Sequence, residues 1–316
     1  MKKMTCALLL AGSCVLLASC GNDGSKAANN STSQDNSSSR LSTQPTSSES
    51  TTPEEPSDSS QSSPESDLEQ TINTLCQGKY MTDSSGVDIP DPDYLPLPGF
   101  ESLPENSVFD VSWNTTEGTY AAGTSFLMNT DLADEPLLIT ALHYFGESDY
   151  IAGADLPDYV TGGELYDILK DGTTPDGSIK SVVPIPDAVS FGDVQTGTKD
   201  VAAFTVEDTS SMYAFPMASE PCQPGDMIYL AAYLSSENSY TYDDCLYPCV
   251  VVSDDGEEIY YLLVDGFVTN GASGGPLLNS KGEVVGIHIA SSGSTRYGHS
   301  IQSIYEQLKN ALATQE

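Results

Sequence analysis

Serine and histidine are the residues around which chemistry can be built in this chain. Ser273 stands in Gly271-Ala272-Ser273-Gly274-Gly275-Pro276, a glycine-rich stretch that permits a tight turn. A serine hydroxyl is a weak nucleophile unless an imidazole takes its proton. Only three histidines exist to do so: His143, His288 and His299. His143 has the better context, because it closes the apolar run Leu137-Leu138-Ile139-Thr140-Ala141-Leu142 and would be delivered at the end of a buried strand. The competing reading is a core histidine at a strand end. An acid lying between base and nucleophile would complete the set, holding the imidazole tautomer and stabilising its cation. Asp187, Asp193, Asp200 and Asp208 all fall in that interval.

These residues carry a resemblance. The hexapeptide resembles the nucleophile loop of the chymotrypsin-like (trypsin-like) serine peptidases, and the strand ending on His143 resembles the strand before that family's base. Gly123-Thr124-Ser125-Phe126-Leu127 is similar to the glycine-led strand that pairs with it in many bacterial members, and Lys199-Asp200-Val201-Ala202-Ala203-Phe204 to the family's aspartate segment. The resemblance spans residues 105 to 310 or so. It implies His143 as base, Asp200 as the orienting acid and Ser273 as nucleophile, with the amides of Gly271 and Ser273 forming an oxyanion hole. The chain order His, Asp, Ser separates the sequence from subtilisins and α/β-hydrolases. The implied fold is all-β: a double six-stranded antiparallel β-barrel with a short C-terminal helix and an active site in the cleft between barrels. No cofactor and no metal are implied. Ala272 replaces the aspartate of the pancreatic-type enzymes, and Tyr144 stands where those often carry a disulfide cysteine; both departures point to the bacterial branch.

The resemblance also bears on specificity. Val284 to Ile289 follows the nucleophile strand and would form one wall of the primary pocket. A histidine at position 288 resembles the glutamate-specific bacterial members, in which an imidazole receives the substrate carboxylate. His299 and Arg296, on the next strand and its entry loop, would add positive charge. A protonated His288 is expected to titrate at about pH 6 to 7, with the acidic domain raising its pKa. Two features weigh on the other side: a negative field lowers the local concentration of acidic substrates, and His288 has a plain reading as a packed strand residue. Basic specificity is not favoured either, since Phe267 lies six residues before the serine, where the trypsin branch would need an acid.

The elements that must position these groups are short β-type runs punctuated by Gly, Asp, Asn and Pro. Residues 108–113, 120–128, 136–142, 201–206, 227–233, 247–252, 259–264, 283–289 and 300–304 all fit strands. Residues 163–170 suggest a short helix within a loop, and residues 304–313 a terminal helix with Ile304, Leu308 and Ala311 on one face. So many short strands exclude a parallel α/β sheet and indicate a sandwich or barrel.

Ahead of this domain come three different segments. Lys2 and Lys3 precede an apolar run, Ala7 to Leu17, too short to span a bilayer, which reads as a signal peptide over residues 1–19. Its end, Leu17-Ala18-Ser19-Cys20, resembles the bacterial lipobox, which implies lipidation of Cys20. Residues 20–69 are rich in Ser, Thr, Pro and acids, a composition that cannot offset the entropy of ordering and reads as a disordered tether. Such a coil would hold the domain on the order of 40 Å from its anchor. Residues 70–104 form an extended lead-in before a peptidase domain of residues 105–316.

The net charge is −35, from 11 Lys and Arg against 46 Asp and Glu. Nucleic acid is thereby excluded as a partner, because phosphate binding needs a basic face. The membrane is reached through the N-terminal lipid alone. Four cysteines remain in the folded part, Cys76, Cys222, Cys245 and Cys249; they allow three disulfide pairings among which the sequence does not choose, and zinc is the weaker alternative. The expectation is an extracytoplasmic, monomeric endopeptidase acting on protein or peptide substrates. The rival is a catalytically silent surface lipoprotein of the same fold that binds or scaffolds.

Overall fold

The computed structural model describes residues 80–82, 88–90, 102–145, 151–191, 199–234, 244–264, 267–292 and 295–314. The signal peptide, Cys20, the tether and Cys76 lie outside the described residues.

Fourteen strands are described. A small hairpin pairs β1 (Tyr80–Thr82) with β2 (Asp88–Pro90). The first barrel comprises β3 (Val108–Thr115), β4 (Gly118–Met128), β5 (Leu137–Thr140), β6 (Val160–Asp167), β7 (Gly177–Val183) and β8 (Ala202–Val206), closed in the order β3-β4-β5-β8-β7-β6. The second comprises β9 (Met227–Ala231), β10 (Leu246–Asp254), β11 (Glu258–Leu263), β12 (Pro276–Leu278), β13 (Val284–Ser292) and β14 (Thr295–Ser300), closed as β10-β11-β14-β13-β12-β9. All barrel pairings are antiparallel. Closure leaves no free sheet edge, which is how an all-β chain of short strands satisfies its backbone.

The core of the first barrel is aromatic. Trp113 on β3 meets Phe145 edge-on and Phe204 on β8 at a tilt, both at 4.9 Å between ring centroids, and all three are fully buried. Phe145 directly follows the 3-10 turn Leu142–Tyr144 that carries His143, so this packing fixes where the turn leaves the barrel. The segment linking the barrels is bonded to both. Phe215 forms a bridge with Met128 of β4, and Met217 with Val284 of β13.

Two expected elements are corrected. Residues 163–170 are not helical: Val160–Asp167 is β6, paired with β3 along nearly its whole length. The sheet pairing overrides the local preference that suggested a short helix. Gly163 fits because a Cβ there would press on the Ser112 carbonyl and the Ile179 side chain. Residues 300–304 are not a strand either, since Ser300 ends β14 and the C-terminal helix runs from Ile301 to Ala313. Ile304, Leu308 and Ala311 do share its buried face. β7 was not legible because its alternation is broken by exposed Lys180 and Ser181, and β12 because it has only three residues.

Disulfides among the described cysteines are also corrected. Cys222, Cys245 and Cys249 are buried thiols, none joined to another. Cys249 Sγ lies 3.2 Å from the Tyr247 carbonyl. Burial, together with the carboxylates of Asp254 and Asp226, pushes the Cys222 thiol up to about 12, so it behaves as a small inert hydrophobe.

Candidate active site

Three elements converge on Ser273. The loop between β11 and β12 turns tightly, with Ala272 N–H donating to the Thr269 carbonyl at 3.0 Å and Gly275 N–H to the Ala272 carbonyl at 2.8 Å. Gly271 and Gly274 adopt positive φ of 93° and 75°. At Gly274 a Cβ would also collide with Thr140 Oγ1 and the Thr124 carbonyl, so the loop can sit on the first barrel only with glycine there. The loop is then tied to β13, with Gly274 N–H donating to the His288 carbonyl at 2.8 Å and His288 N–H to the Gly275 carbonyl at 2.9 Å.

The first barrel grips the same loop. Thr124 donates its N–H to the Ser273 carbonyl at 3.0 Å and its hydroxyl to the Gly271 carbonyl at 2.8 Å. Tyr144 adds its hydroxyl to the Ser273 carbonyl at 3.0 Å. Among the described residues the N–H groups of Gly271 and Ser273 have no protein acceptor, which leaves both available to an incoming oxyanion.

His143 and Asp200 are brought together from β5 and the segment leading into β8. His143 Nδ1 lies 2.7 Å from Asp200 Oδ2, and the His143 backbone N–H donates to Asp200 Oδ1 at 2.9 Å. Phe191 N–H donates to Oδ2 as well, at 3.0 Å. Asp200 is completely buried while 21% of the His143 side chain is exposed, so the carboxylate is hidden behind an imidazole that keeps access to the cleft. Of the competing acids, Asp187 and Asp208 are exposed, and Asp193 lies outside the described residues. Among the described candidates, Asp200 is therefore the acid that lies against His143. The Ser273 hydroxyl donates to the Ile289 carbonyl at 3.1 Å rather than to His143. The hydroxyl must turn from that carbonyl before it donates to a base, as catalytic hydrogen bonds often tighten only with substrate in place.

His288 is buried on β13, with Nδ1 2.6 Å from the Tyr261 hydroxyl. Burial, followed by the positive charges of Arg296 and His143, lowers its pKa to about 3. This corrects the expectation of a raised value: the imidazole responds first to burial and then to its neighbours Arg296 and His143, and the net charge of the domain is a weaker influence. Arg296 on β14 is buried too, donating from Nη2 to the Phe267 carbonyl at 3.1 Å and from Nη1 to the Thr295 carbonyl at 3.3 Å. It thus supports the segment that leads into the nucleophile loop. His299 packs against the C-terminal helix, its Nε2 2.9 Å from Gln307 Nε2. Burial lowers its pKa to about 3, so it adds no positive charge. Thr124, Tyr144, Phe191 and Tyr261 belong to the site as well. Thr124 and Tyr144 were visible in the strand and beside the base, but nothing in the sequence tied them to Ser273.

Comparison with curated proteins finds no match. Among solved structures, the chain is similar to the active form of the Rv3671c protease from M. tuberculosis, with 18% identity over 67% of this chain and 89% of that one and a TM-score of 0.42. It is similar to a Glu endopeptidase solved with MPD, at 15% identity over 70% and 99% of the two chains and a TM-score of 0.47. A serine endoprotease from Yersinia pestis gives 13% identity, 67% and 64% coverage and a TM-score of 0.45. Residues 123–287, just over half of the chain, match the family model described as the trypsin-like peptidase domain. That stretch runs from the strand that grips the nucleophile loop to the residue before His288, and on it the chain belongs to the trypsin-like peptidase family.

Proposed function

We propose that the protein is a serine endopeptidase of the family's bacterial branch, anchored outside the cytoplasm by a lipid on Cys20, which hydrolyses peptide bonds through Ser273, His143 and Asp200. The observation that carries this reading is the 2.7 Å contact between His143 Nδ1 and a fully buried Asp200, on a turn adjoining the Ser273 loop. As Ser273 Oγ attacks the scissile carbonyl carbon, its proton passes to His143 Nε2 and the carbonyl oxygen becomes an oxyanion held by the N–H groups of Gly271 and Ser273. Collapse of that intermediate breaks the C–N bond, and the imidazolium gives its proton to the departing amine. Water then attacks the acyl-enzyme, with His143 again taking a proton and Ser273 recovering its own. Asp200 stays ionised throughout and holds the proton-bearing Nδ1 toward itself, leaving Nε2 as the acceptor. Labelling of the full chain by a fluorophosphonate probe, in parallel with peptide cleavage, tests the reading; a protein that takes up no probe and cuts no peptide is the silent scaffold instead.

Anchoring rests on Lys2, Lys3, the apolar run and Cys20. Cys20→Ala is expected to release the protein from membranes, because residues 21–69 hold no apolar run that could replace a two-chain lipid. Fractionation with mass spectrometry of the mature N-terminus checks this, and processing at another residue overturns it.

Preference for glutamate before the scissile bond belongs to the same reading. A His288 that accepts the Tyr261 hydroxyl at Nδ1 carries its proton on Nε2, and a pKa of about 3 leaves the free imidazole neutral in ordinary buffers. A carboxylate would then be received by a neutral N–H donor, with buried Arg296 supplying the favourable field. The ratio of cleavage after Glu to cleavage after Leu is therefore expected to stay flat from about pH 5 to about pH 8, rather than fade as a titrating histidine would make it. His288→Ala is expected to lower kcat/KM for Glu substrates by about 2 kcal/mol, roughly 30-fold, relative to Leu substrates. An equal loss on both would assign His288 to packing.

A further inference from the structure

We infer that Tyr144 is a positioning residue: its hydroxyl, reaching from the first barrel to the Ser273 carbonyl, sets the nucleophile loop against the base that Tyr144 itself adjoins. The inference rests on the reading of Ser273 as nucleophile and His143 as base.

Tyr144 follows His143 in the chain, and the two rings lie 4.7 Å apart between centroids at 39°. Its hydroxyl donates to the Ser273 carbonyl at 3.0 Å, across 129 residues of sequence. One side chain therefore touches both halves of the site. Its own placement is fixed on two further sides. The Tyr144 carbonyl accepts the Tyr120 hydroxyl at 3.0 Å. Gly123 lies so close to the Tyr144 ring that any Cβ there would overlap Cε2 and Cζ. Gly123 also adopts a φ of 70°, so both its backbone and its missing side chain suit the ring.

The hydroxyl is a dependable donor. Burial is the main cause that raises the Tyr144 pKa far above the ordinary phenol value; hydrogen bonding with Ser273 opposes it, and the carboxylates of Asp200 and Asp110 push it up further. The proton thus stays on oxygen through the neutral pH range. Together with Thr124 N–H, also 3.0 Å from that oxygen, it gives the Ser273 carbonyl two donors from the first barrel. Those two bonds, with the one from Gly274 N–H to the His288 carbonyl, fix the peptide plane that follows Ser273, and with it the direction in which the Cα–Cβ bond presents Oγ. Without the Tyr144 hydroxyl that plane keeps Thr124 and the His288 carbonyl and loses one of its two holds on the first barrel. Small displacements of a nucleophile relative to its base are costly to rate while leaving remote substrate contacts intact.

The test uses the full chain with Tyr144→Phe, which keeps the ring on Gly123 and His143 and removes only the hydroxyl, beside Tyr144→Leu, which removes both. Three quantities are read: the rate of fluorophosphonate acylation, kcat and KM on a peptide substrate, and Tm. Tyr144→Phe is expected to lower acylation rate and kcat about tenfold, the size of one lost hydrogen bond. KM should stay within about twofold, and Tm should move by no more than about 4 °C. Tyr144→Leu should lose at least as much activity and also lose Tm. A purely packing role makes the opposite forecast, with Tyr144→Phe at wild-type rates and only Tyr144→Leu impaired. Wild-type acylation by Tyr144→Phe in a protein that does label overturns this inference alone, whereas a wild-type protein that never labels overturns the nucleophile reading and this inference with it.

Discussion

Ser273→Ala is expected to abolish fluorophosphonate labelling and to lower kcat by about 10⁶, leaving only the residual catalysis that binding and the oxyanion donors provide. The magnitude follows from the division of labour at the site. His143 can accept a proton and Gly271 can donate to an oxyanion, but only the hydroxyl can form the acyl-enzyme. The fold should survive. The hydroxyl makes a single neutral hydrogen bond, to the Ile289 carbonyl, and its loss costs about 1 kcal/mol. The loop is held instead by backbone bonds and by Thr124 and Tyr144, none of which involve the Ser273 side chain. Circular dichroism and Tm check the fold, while probe labelling that persists in the variant would transfer the nucleophile role to another residue.

Asp200→Asn is expected to lower kcat by about 10⁴. Asp200 accepts three hydrogen bonds: from the His143 backbone and Phe191 N–H groups, and from the proton on His143 Nδ1. An asparagine must place an NH2 group where one of the two oxygens was. If that group replaces Oδ2, it faces both Phe191 N–H and His143 Nδ1. The imidazole can then be satisfied only by turning Nδ1 into an acceptor and moving its proton to Nε2, which is the tautomer that cannot receive a proton from Ser273. If it replaces Oδ1, it confronts the His143 backbone N–H and shifts the turn itself. Turnover near the wild-type value would show that the orienting acid lies elsewhere, with Asp193→Asn the comparison to make.

Much of this site was legible because its parts are local words. The glycine-flanked serine, the apolar strand ending on His143 and the aspartate ahead of a small-apolar strand each occupy a few consecutive residues, and the two barrels follow from the resemblance they carry. What stayed hidden depends on residues distant in sequence. Residues 163–170 read as a short helix within a loop, and only the pairing of β6 with β3, some fifty residues earlier, decides otherwise. The His288 pKa was misjudged in sign because net charge can be counted from a sequence, whereas burial and the positions of Arg296 and His143 cannot. The cysteine expectation is not met among the described residues for a similar reason: number and compartment suggested pairing, but Cys222, Cys245 and Cys249 are buried in the core as thiols.

The division of the site between two barrels bears on when the protein becomes able to cut. His143 and Asp200 are carried by the first barrel, whereas Ser273 lies on a loop of the second and is held in register by Thr124 and Tyr144 of the first. During synthesis, the proposed base and its acid emerge well ahead of the proposed nucleophile, and the C-terminal helix that packs on the second barrel follows them. Neither half can hydrolyse anything by itself, and the loop gains its geometry only against a finished partner surface. On the proposed reading, activity comes only after both barrels are complete, which spares the chain itself from a protease that is only partly made.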